Sequence, residues 1–165
     1  MKIVDDFLPV YQFKELQSII FGNAFPWYYD PGTVFSPVSK NLYGPSQFTH
    51  TFYNESTGII SNLPFYLEFF RIYLKFQEVK RIKVNLNPKT LFHRKSGYHI
   101  DCPNVTTAVY YLNTNNGWTD IKGHGKVKSV SNRIVIFDSN LVHQGVTCTD
   151  EKRRVVLNFN YVPAL

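Results

Sequence analysis

The feature that most constrains the fold is a change in hydrophobic periodicity at Val79. From that residue onward, apolar side chains such as Ile82, Val84 and Leu86 alternate with polar ones. A period of two puts successive side chains on opposite faces of a β-strand, so the pattern predicts a strand with one buried face. Further short apolar runs follow, separated by turn residues. The second half of the chain is therefore predicted to be mainly β-structure.

The strands of this half are predicted to be short and joined by tight turns. They are expected at residues 79–87, around 99–101, and at 105–112, 118–121, 127–130, 134–137 and 153–162. Asn116-Gly117 is typical of a two-residue hairpin turn, which predicts that 118–121 pairs back on 105–112. Gly123-His124-Gly125 and Asp138-Ser139-Asn140 predict further turns.

The first half of the chain is predicted to contain two helices, at residues 5–22 and 62–76. Proline suits a first helical turn, asparagine an N-cap and glycine a helix end. The residues with these roles are Pro9 and Gly22 for the first helix, and Asn62 and Pro64 for the second. Residues 23–60 are expected to form strands or aromatic loops. Helices followed by many short strands predict a β-sandwich or jelly roll with helices packed on it.

Composition narrows the class of protein. A chain of 165 residues is expected to form one domain, and a formal charge of +6 permits an anionic partner but more commonly serves solubility. Two cysteines are too few for a disulfide scaffold. Asp5 and Asp6 interrupt any apolar leader, and the sequence has no apolar run of about 20 residues, the length that spans a membrane. We therefore expect a cytoplasmic protein without a membrane span, and nucleic acid is a less favoured partner.

The candidate chemistry centres on His99-Ile100-Asp101. Alternation along a strand would put the histidine and the carboxylate on one face, and His143 is placed to supply a third ligand from far along the chain. Two histidines and one carboxylate, with open positions on the metal, are typical of non-haem Fe(II) oxygenases. The remaining histidines, His50, His93 and His124, are expected to be loop or surface residues.

The order of these residues resembles that of the 2-oxoglutarate/Fe(II)-dependent dioxygenases, in particular the small stand-alone members of the prolyl-4-hydroxylase-like branch. The segments that carry the resemblance are Arg81–Leu86, His99–Pro103, Val109–Asn113, Asn115–Trp118, Asn132-Arg133, Ile136–Ser139, His143–Gly145 and Arg154–Phe159. The resemblance implies a double-stranded β-helix, a cupin-like jelly roll, with N-terminal helices packed on one sheet. It also implies a single oxygenase domain over residues 1–165, with 1–78 as a support region and 79–162 as the core that carries the site.

The resemblance further implies an enzyme with Fe(II), 2-oxoglutarate and O2 as cofactor and cosubstrates. Fe(II) would bind to His99, Asp101 and His143, which are then both the metal ligands and the catalytic residues. The products would be succinate, CO2 and a hydroxylated substrate, for which a protein or peptide residue is the first expectation. Two alternatives stay open: an oxygenase acting on nucleic acid or a small metabolite, and a non-catalytic jelly-roll module that binds a metal.

The far carboxylate of 2-oxoglutarate requires a cation, and two neighbouring arginines compete for the role. If Arg154 points into the barrel, Val156 and Asn158 share its face, and the apolar residues between them face another core layer; Arg153 is the alternative. The resemblance adds Tyr110 and Asn87 as further contacts to 2-oxoglutarate.

Two further expectations concern residues near the metal strands. A basic cluster is expected to form a solvated face; its members are Lys80, Arg81, Lys83, Lys89, Arg94 and Lys95. Pairing of Cys102 with Cys148 is left open.

Overall fold

The structure is a computed structural model that describes residues 1–32, 34–35, 42–61 and 66–164. Helices α1 and α2 span Val10–Ile20 and Tyr66–Leu74. Before and between the helices lie β1 (Lys2–Val4), β2 (Tyr28–Asp30), β3 (Val34–Phe35), β4 (Leu42–Tyr43), β5 (Gln47–Asn54) and β6 (Gly58–Ile59). After α2 come β7 (Phe76–Pro88), β8 (Thr106–Tyr111), β9 (Trp118–Ile121), β10 (Gly125–Lys128), β11 (Arg133–Asp138), β12 (His143–Val146) and β13 (Arg153–Pro163).

Two antiparallel sheets form the body of the protein, which confirms the predicted jelly roll. The main sheet has the order β1-β11-β8-β13-β7-β5-β2, and a smaller sheet has the order β10-β9-β12. Strands β1, β2 and β5, all from the predicted support region, extend the main sheet beyond the core strands at both of its edges.

One face of the main sheet is covered by the two helices. Phe70 of α2 is fully buried there, with its ring centroid 4.3 Å from that of Phe159 and 5.1 Å from that of Tyr110. Leu16 and Ile20 of α1 join the same apolar cluster. The predicted packing of N-terminal helices on one sheet is therefore confirmed.

The other face of the main sheet is divided into an apolar half and a polar half. A second apolar cluster lies between the two sheets, with members Val109, Tyr111, Ile121, Val127, Val135, Phe137 and Val156. Beyond it, on β7, the residues that alternate with the buried Ile82, Val84 and Leu86 are polar. This uncovered polar half carries the site described below.

The first helix is shorter than predicted, because residues 5–9 are held in a non-helical path. Asp5 forms an ion pair with Arg133, and the Phe7 and Leu8 amides donate to the main-chain and side-chain oxygens of Asn132. These contacts come from residues more than 100 positions away, and they confine the helix to Val10–Ile20, directly after Pro9. Strand β1 was not predicted.

The second helix ends earlier than predicted. Lys75 has a φ of 48°, a left-handed conformation that stops the helix, and β7 begins at the next residue, Phe76. Phe70 and Leu74 are buried, as the predicted apolar face requires. The predicted cap at Asn62 and the first turn at Pro64 lie outside the described residues.

The predicted hairpin at Asn116-Gly117 is wrong. Strand β8 pairs with β11 and β13, whereas β9 pairs with β10 and β12, so the chain crosses there from one sheet to the other. Gly117 has a different role at this crossing. A Cβ atom on it would lie 2.7 Å from Arg154 Cδ and 2.7 Å from the Val146 carbonyl oxygen. Only glycine therefore fits between the two sheets at this point.

We expect Gly117→Ala to lower the free energy of unfolding by about 1–3 kcal/mol, because overpacking of this size forces backbone shifts. Thermal unfolding followed by circular dichroism measures the change. Gly145→Ala is the matched control, because a Cβ atom there would lie 3.6 Å from Arg154 Nη1, an ordinary contact. Equal loss of stability in both variants would show that the crowding at Gly117 is not the cause.

Candidate metal centre

Three side chains from separate parts of the chain converge as predicted. His99 Nε2 lies 3.5 Å from Asp101 Oδ1, and His143 Nε2 lies 3.8 Å from Asp101 Oδ2. One ligand atom from each of the three residues lies within 4.8 Å of the others, a spacing at which they could hold one metal ion. Two imidazole nitrogens and a carboxylate oxygen suit Fe(II) and related transition metals.

A pair of backbone hydrogen bonds brings the two histidines together. The amide of His99 donates to the carbonyl of His143, and the amide of His143 donates to the carbonyl of His99, each at 2.9 Å. His99 forms only this isolated bridge, after which the chain turns between Asp101 and Asn104. The predicted strand around 99–101 is therefore wrong, although the bridge and turn still direct His99 and Asp101 to one side.

The backbone also orients each imidazole ring. His99 Nδ1 lies 2.9 Å from the Gly97 carbonyl oxygen, and His143 Nδ1 lies 3.1 Å from the Leu141 carbonyl oxygen. In a neutral imidazole, donation of the Nδ1 proton to these carbonyls leaves Nε2 unprotonated and directed toward the carboxylate, which is the form that binds a metal. Burial lowers the pKa of His143, which favours this neutral form.

The two carboxylate oxygens of Asp101 differ in their polar contacts. Oδ1 accepts a 2.9 Å ion-pair contact from Arg81 Nη2, while Oδ2 is buried without a hydrogen-bond partner among the described residues. Burial acts to raise the pKa of Asp101, but contact with His99 and the positive charge of Arg81 outweigh it, so the pKa lies well below its usual range. The group is therefore a carboxylate with an oxygen available to a cation, and the three residues fit a divalent metal.

Arg81 is a site residue that the sequence analysis missed. It was placed in a solvated basic cluster, but its guanidinium group contacts Asp101 and its Nε donates to Asn160 Oδ1 at 3.1 Å. Asn160 in turn donates to Thr107 Oγ1 at 3.0 Å and is fully buried. Alternation with Ile82 was the available signal, because it puts Arg81 and Lys83 on the face opposite the core.

A cavity of about 360 Å³ opens beside the three ligands, near the lower end of the range of roughly 300–1,000 Å³ for small-molecule sites. Its other polar walls are formed by Gln47, Lys83, Asn85, Asn87, Asn158 and Arg154. Asn87 Nδ2 donates to Gln47 Oε1 at 3.4 Å, and Asn87 is the register partner of Arg154. The predicted site residue Asn87 thus lies on the cavity wall next to Arg154.

Arg154 points into the cavity and is 2% exposed. Its Nε donates to Ser129 Oγ and its Nη2 donates to Thr119 Oγ1, each at 3.0 Å. Among the described residues it forms no ion pair with a carboxylate. Burial lowers the pKa of Arg154, yet an arginine keeps its charge in proteins, so the cavity contains an uncompensated cation. Arg153, the predicted alternative, lies outside, with its guanidinium carbon 4.4 Å from the centroid of the Phe21 ring.

The structure contradicts the predicted role of Tyr110. Its hydroxyl donates to Asn132 Oδ1 at 2.6 Å, and its ring packs in the apolar cluster under the helices. Burial there raises the pKa of Tyr110. The neighbouring Tyr111 is the tyrosine on the cavity side, because it pairs in register with Val156; its ring lies 5.7 Å from the Arg154 guanidinium carbon.

The other predicted candidates lie apart from the three ligands. His50 is buried in an aromatic cluster with Phe25 and Phe52, which corrects its expected loop or surface position. Cys102 and Cys148 are both free thiols, which answers the open question of their pairing. Within the described ranges, no helix is long and apolar enough to cross a membrane.

Comparison with known proteins finds similarity in structure alone. No family model and no curated protein matches the sequence. An oxidoreductase of the 2OG-Fe(II) oxygenase family from Burkholderia pseudomallei aligns with a TM-score of 0.71 at 12% identity, over 97% of this chain and 84% of that one. The chain has the fold of the 2-oxoglutarate/Fe(II) oxygenases.

Two further solved structures share this oxygenase fold. A Trichoplax adhaerens prolyl hydroxylase in complex with a peptide fragment of hypoxia inducible factor aligns with a TM-score of 0.59 at 15% identity, over 97% of this chain and 82% of that one. HygX from Streptomyces hygroscopicus, whose structure contains nickel and 2-oxoglutarate, aligns with a TM-score of 0.60 at 11% identity, over 99% and 82% of the two chains. The predicted resemblance to the oxygenases, including a prolyl hydroxylase, is thus confirmed in the fold.

We expect Asp101→Ala to weaken Ni²⁺ or Mn²⁺ binding by more than about 100-fold, because changes outside the ligand set alone cost roughly 10–100-fold. Isothermal titration of the metal into the protein under anaerobic, reducing conditions measures the affinity. Asp138→Ala is the control, because the Asp138 side chain accepts a hydrogen bond from the Asn140 amide on the exposed surface. Unchanged binding in Asp101→Ala would exclude this carboxylate as a ligand.

Proposed function

We propose that the protein is an Fe(II)- and 2-oxoglutarate-dependent dioxygenase. One observation carries the proposal: a buried arginine without a carboxylate partner among the described residues lines the same cavity as a His-Asp-His ligand set. A metal site alone does not need a buried cation beside it. A cosubstrate that chelates the metal at one end and has a carboxylate at the other requires both, which also argues against a non-catalytic metal-binding module.

Each residue of the site has a distinct role in this proposal. His99, Asp101 and His143 hold the metal, and three protein ligands leave positions for the cosubstrate and O2. Arg154 binds the far carboxylate of 2-oxoglutarate, and Thr119 and Ser129 fix the plane of its guanidinium group. Bound Fe(II) and 2-oxoglutarate would supply the oxidation, in which one oxygen atom of O2 enters the substrate and the other enters succinate as CO2 is released.

The apolar layer behind the site supports this assignment. Tyr111 is fully buried beneath Arg154 and donates from its hydroxyl to Thr119 Oγ1 at 2.8 Å. The second apolar cluster, which includes Tyr111 and Val156, closes this end of the cavity to water. A charge pair formed there would be little screened by solvent, which strengthens the binding of a carboxylate.

For the substrate, we propose a protein or peptide residue. The support is the shared fold with a prolyl hydroxylase whose structure contains a peptide. A small metabolite is the second candidate, favoured by a cavity of about 360 Å³ with a largely polar lining.

The test is anaerobic titration of the protein with Fe(II) and then with 2-oxoglutarate. The signal monitored is the weak visible charge-transfer band that appears when the keto acid chelates iron. We expect the band in the unmodified protein. Arg154→Met should weaken 2-oxoglutarate binding by at least about 30-fold, because loss of one partner of a buried charge pair costs roughly 2–5 kcal/mol. Arg153→Met, one residue away, should bind 2-oxoglutarate as the unmodified protein does.

The outcomes separate the alternatives. Iron binding without the band in the unmodified protein would identify a metal-binding module instead of an oxygenase. Equal effects of the two arginine variants would show that Arg154 is not the carboxylate receptor. Once the band is established, peptide-stimulated turnover of 2-oxoglutarate in air is the readout for the proposed substrate class.

A further inference from the structure

A second cation lies in the cavity, and the proposed chemistry does not use it. Lys83 lines the cavity, and its side chain is only 22% exposed. Its nearest carboxylate oxygen among the described residues is Asp30 Oδ2 at 4.0 Å, which is too long for a hydrogen bond. That carboxylate already accepts hydrogen bonds from the Gly32 amide and from Gln47 Nε2. The Lys83 ammonium group therefore has a nearby negative charge but no hydrogen-bond acceptor within the described residues.

Polar atoms without partners surround this lysine. Asn158 is its register partner on β13, and Asn85 lies two residues further along β7 on the same face. The Oδ1 atoms of both asparagines are buried and have no hydrogen-bond partner among the described residues. Because the two ends of an amide exchange by rotation, each asparagine can present either an acceptor or two N–H donors to the cavity. Buried polar groups of this kind ordinarily have a partner, so a polar ligand is expected between them.

Lys83 is too far along the strand to share the carboxylate that Arg154 would bind. It lies four residues from Asn87, the register partner of Arg154, which is roughly 13 Å along β7. The two cations also point to different elements, since Lys83 reaches toward Asp30 on β2 and Arg154 reaches toward Thr119 on β9. Lys83 is instead two residues from Arg81, which holds the metal ligand Asp101.

We propose that the substrate to be oxidised has an anionic group, a carboxylate or a phosphate, which binds to Lys83, Asn85 and Asn158 while 2-oxoglutarate occupies Arg154. This inference rests on the proposed function, because it takes one anion site as that of the cosubstrate and assigns the other to the substrate. Arg81 adds a second positive charge on the same face, beside the metal ligands. An anion anchored there would hold the remainder of the substrate next to the metal.

The test uses Mn²⁺ as a paramagnetic stand-in for Fe(II), with saturating 2-oxoglutarate to fill the first anion site. Inorganic phosphate and 13C-carboxyl acetate are then titrated in separate experiments, and the line broadening of the 31P or 13C resonance is measured. We expect broadening that saturates for at least one of the two anions in the unmodified protein. The anion that saturates at the lower concentration identifies the chemical class.

Lys83→Met should weaken the binding of this anion at least tenfold and leave 2-oxoglutarate binding unchanged. Lys80→Met is the matched control on the same strand, since the Lys80 side chain is 23% exposed and its ammonium group bonds to Glu55 and Glu78, outside the cavity. Circular dichroism verifies that each variant is folded, and 2-oxoglutarate binding is measured separately.

Three results would overturn the inference. They are the absence of saturable broadening in the unmodified protein, equal losses in Lys80→Met and Lys83→Met, and a loss of 2-oxoglutarate binding in folded Lys83→Met that matches the loss in Arg154→Met. The measurement on the unmodified protein decides the question even if Lys83→Met does not fold. Failure of 2-oxoglutarate to bind would refute the proposed function itself, whereas bound 2-oxoglutarate without a second anion would refute only this inference.

Discussion

The pairing of β7 with β13 is the constraint on which the rest of the structure depends. Along these two long strands, residues such as Ile82, Val84 and Leu157 face the helices, while Arg81, Lys83 and Arg154 face the cavity. Successive side chains on a strand point to opposite faces, which produces this division. The pairing of β7 with β13 has no bulge or register shift between residues 81 and 88 of β7. A shift of one residue in register would exchange the apolar core for the polar wall, so burial of the core also fixes the positions of the charged groups.

The candidate metal centre depends on a much smaller contact between loop and strand. Two main-chain hydrogen bonds join His99 to His143, and the carbonyls of Gly97 and Leu141 orient the two rings. These backbone contacts orient the imidazole nitrogens that could hold a metal ion. Arg81 restrains the carboxylate from the opposite side, through a chain of buried polar groups that reaches Thr107 on β8. The ligands are thus positioned from both the loop and the main sheet.

Much of this site could be predicted from the sequence, because its signals were local or periodic. The candidate ligand residues could be chosen from their spacing, and the alternation of side chains along β13 correctly predicted that Arg154 points inward. The choice between Tyr110 and Tyr111 could not be made in the same way. Two adjacent tyrosines face opposite sides, and only the pairing of Tyr111 with Val156 across strands shows which of them lies beneath Arg154.

The positions of Arg81 and Lys83 at the cavity were not predicted, for a related reason. Polar residues that alternate with apolar ones have the same pattern whether they face solvent or an internal cavity. Contacts between distant residues account for the errors in the first half. The predicted start of the first helix is wrong because Asn132, far along the chain, accepts hydrogen bonds from the amides of residues 7 and 8 and holds them outside the helix.

The separation of the two faces of β7 has an evolutionary consequence. Its helix-facing residues secure folding, and the residues between them line the cavity, so the two sets can be substituted largely independently. A lineage could therefore exchange Lys83, Asn85 or Asn158 for other side chains and acquire a new preference while the core is preserved. A scaffold organised in this way tolerates wide divergence in sequence, which agrees with a fold that is shared with solved oxygenase structures at only 11–15% identity.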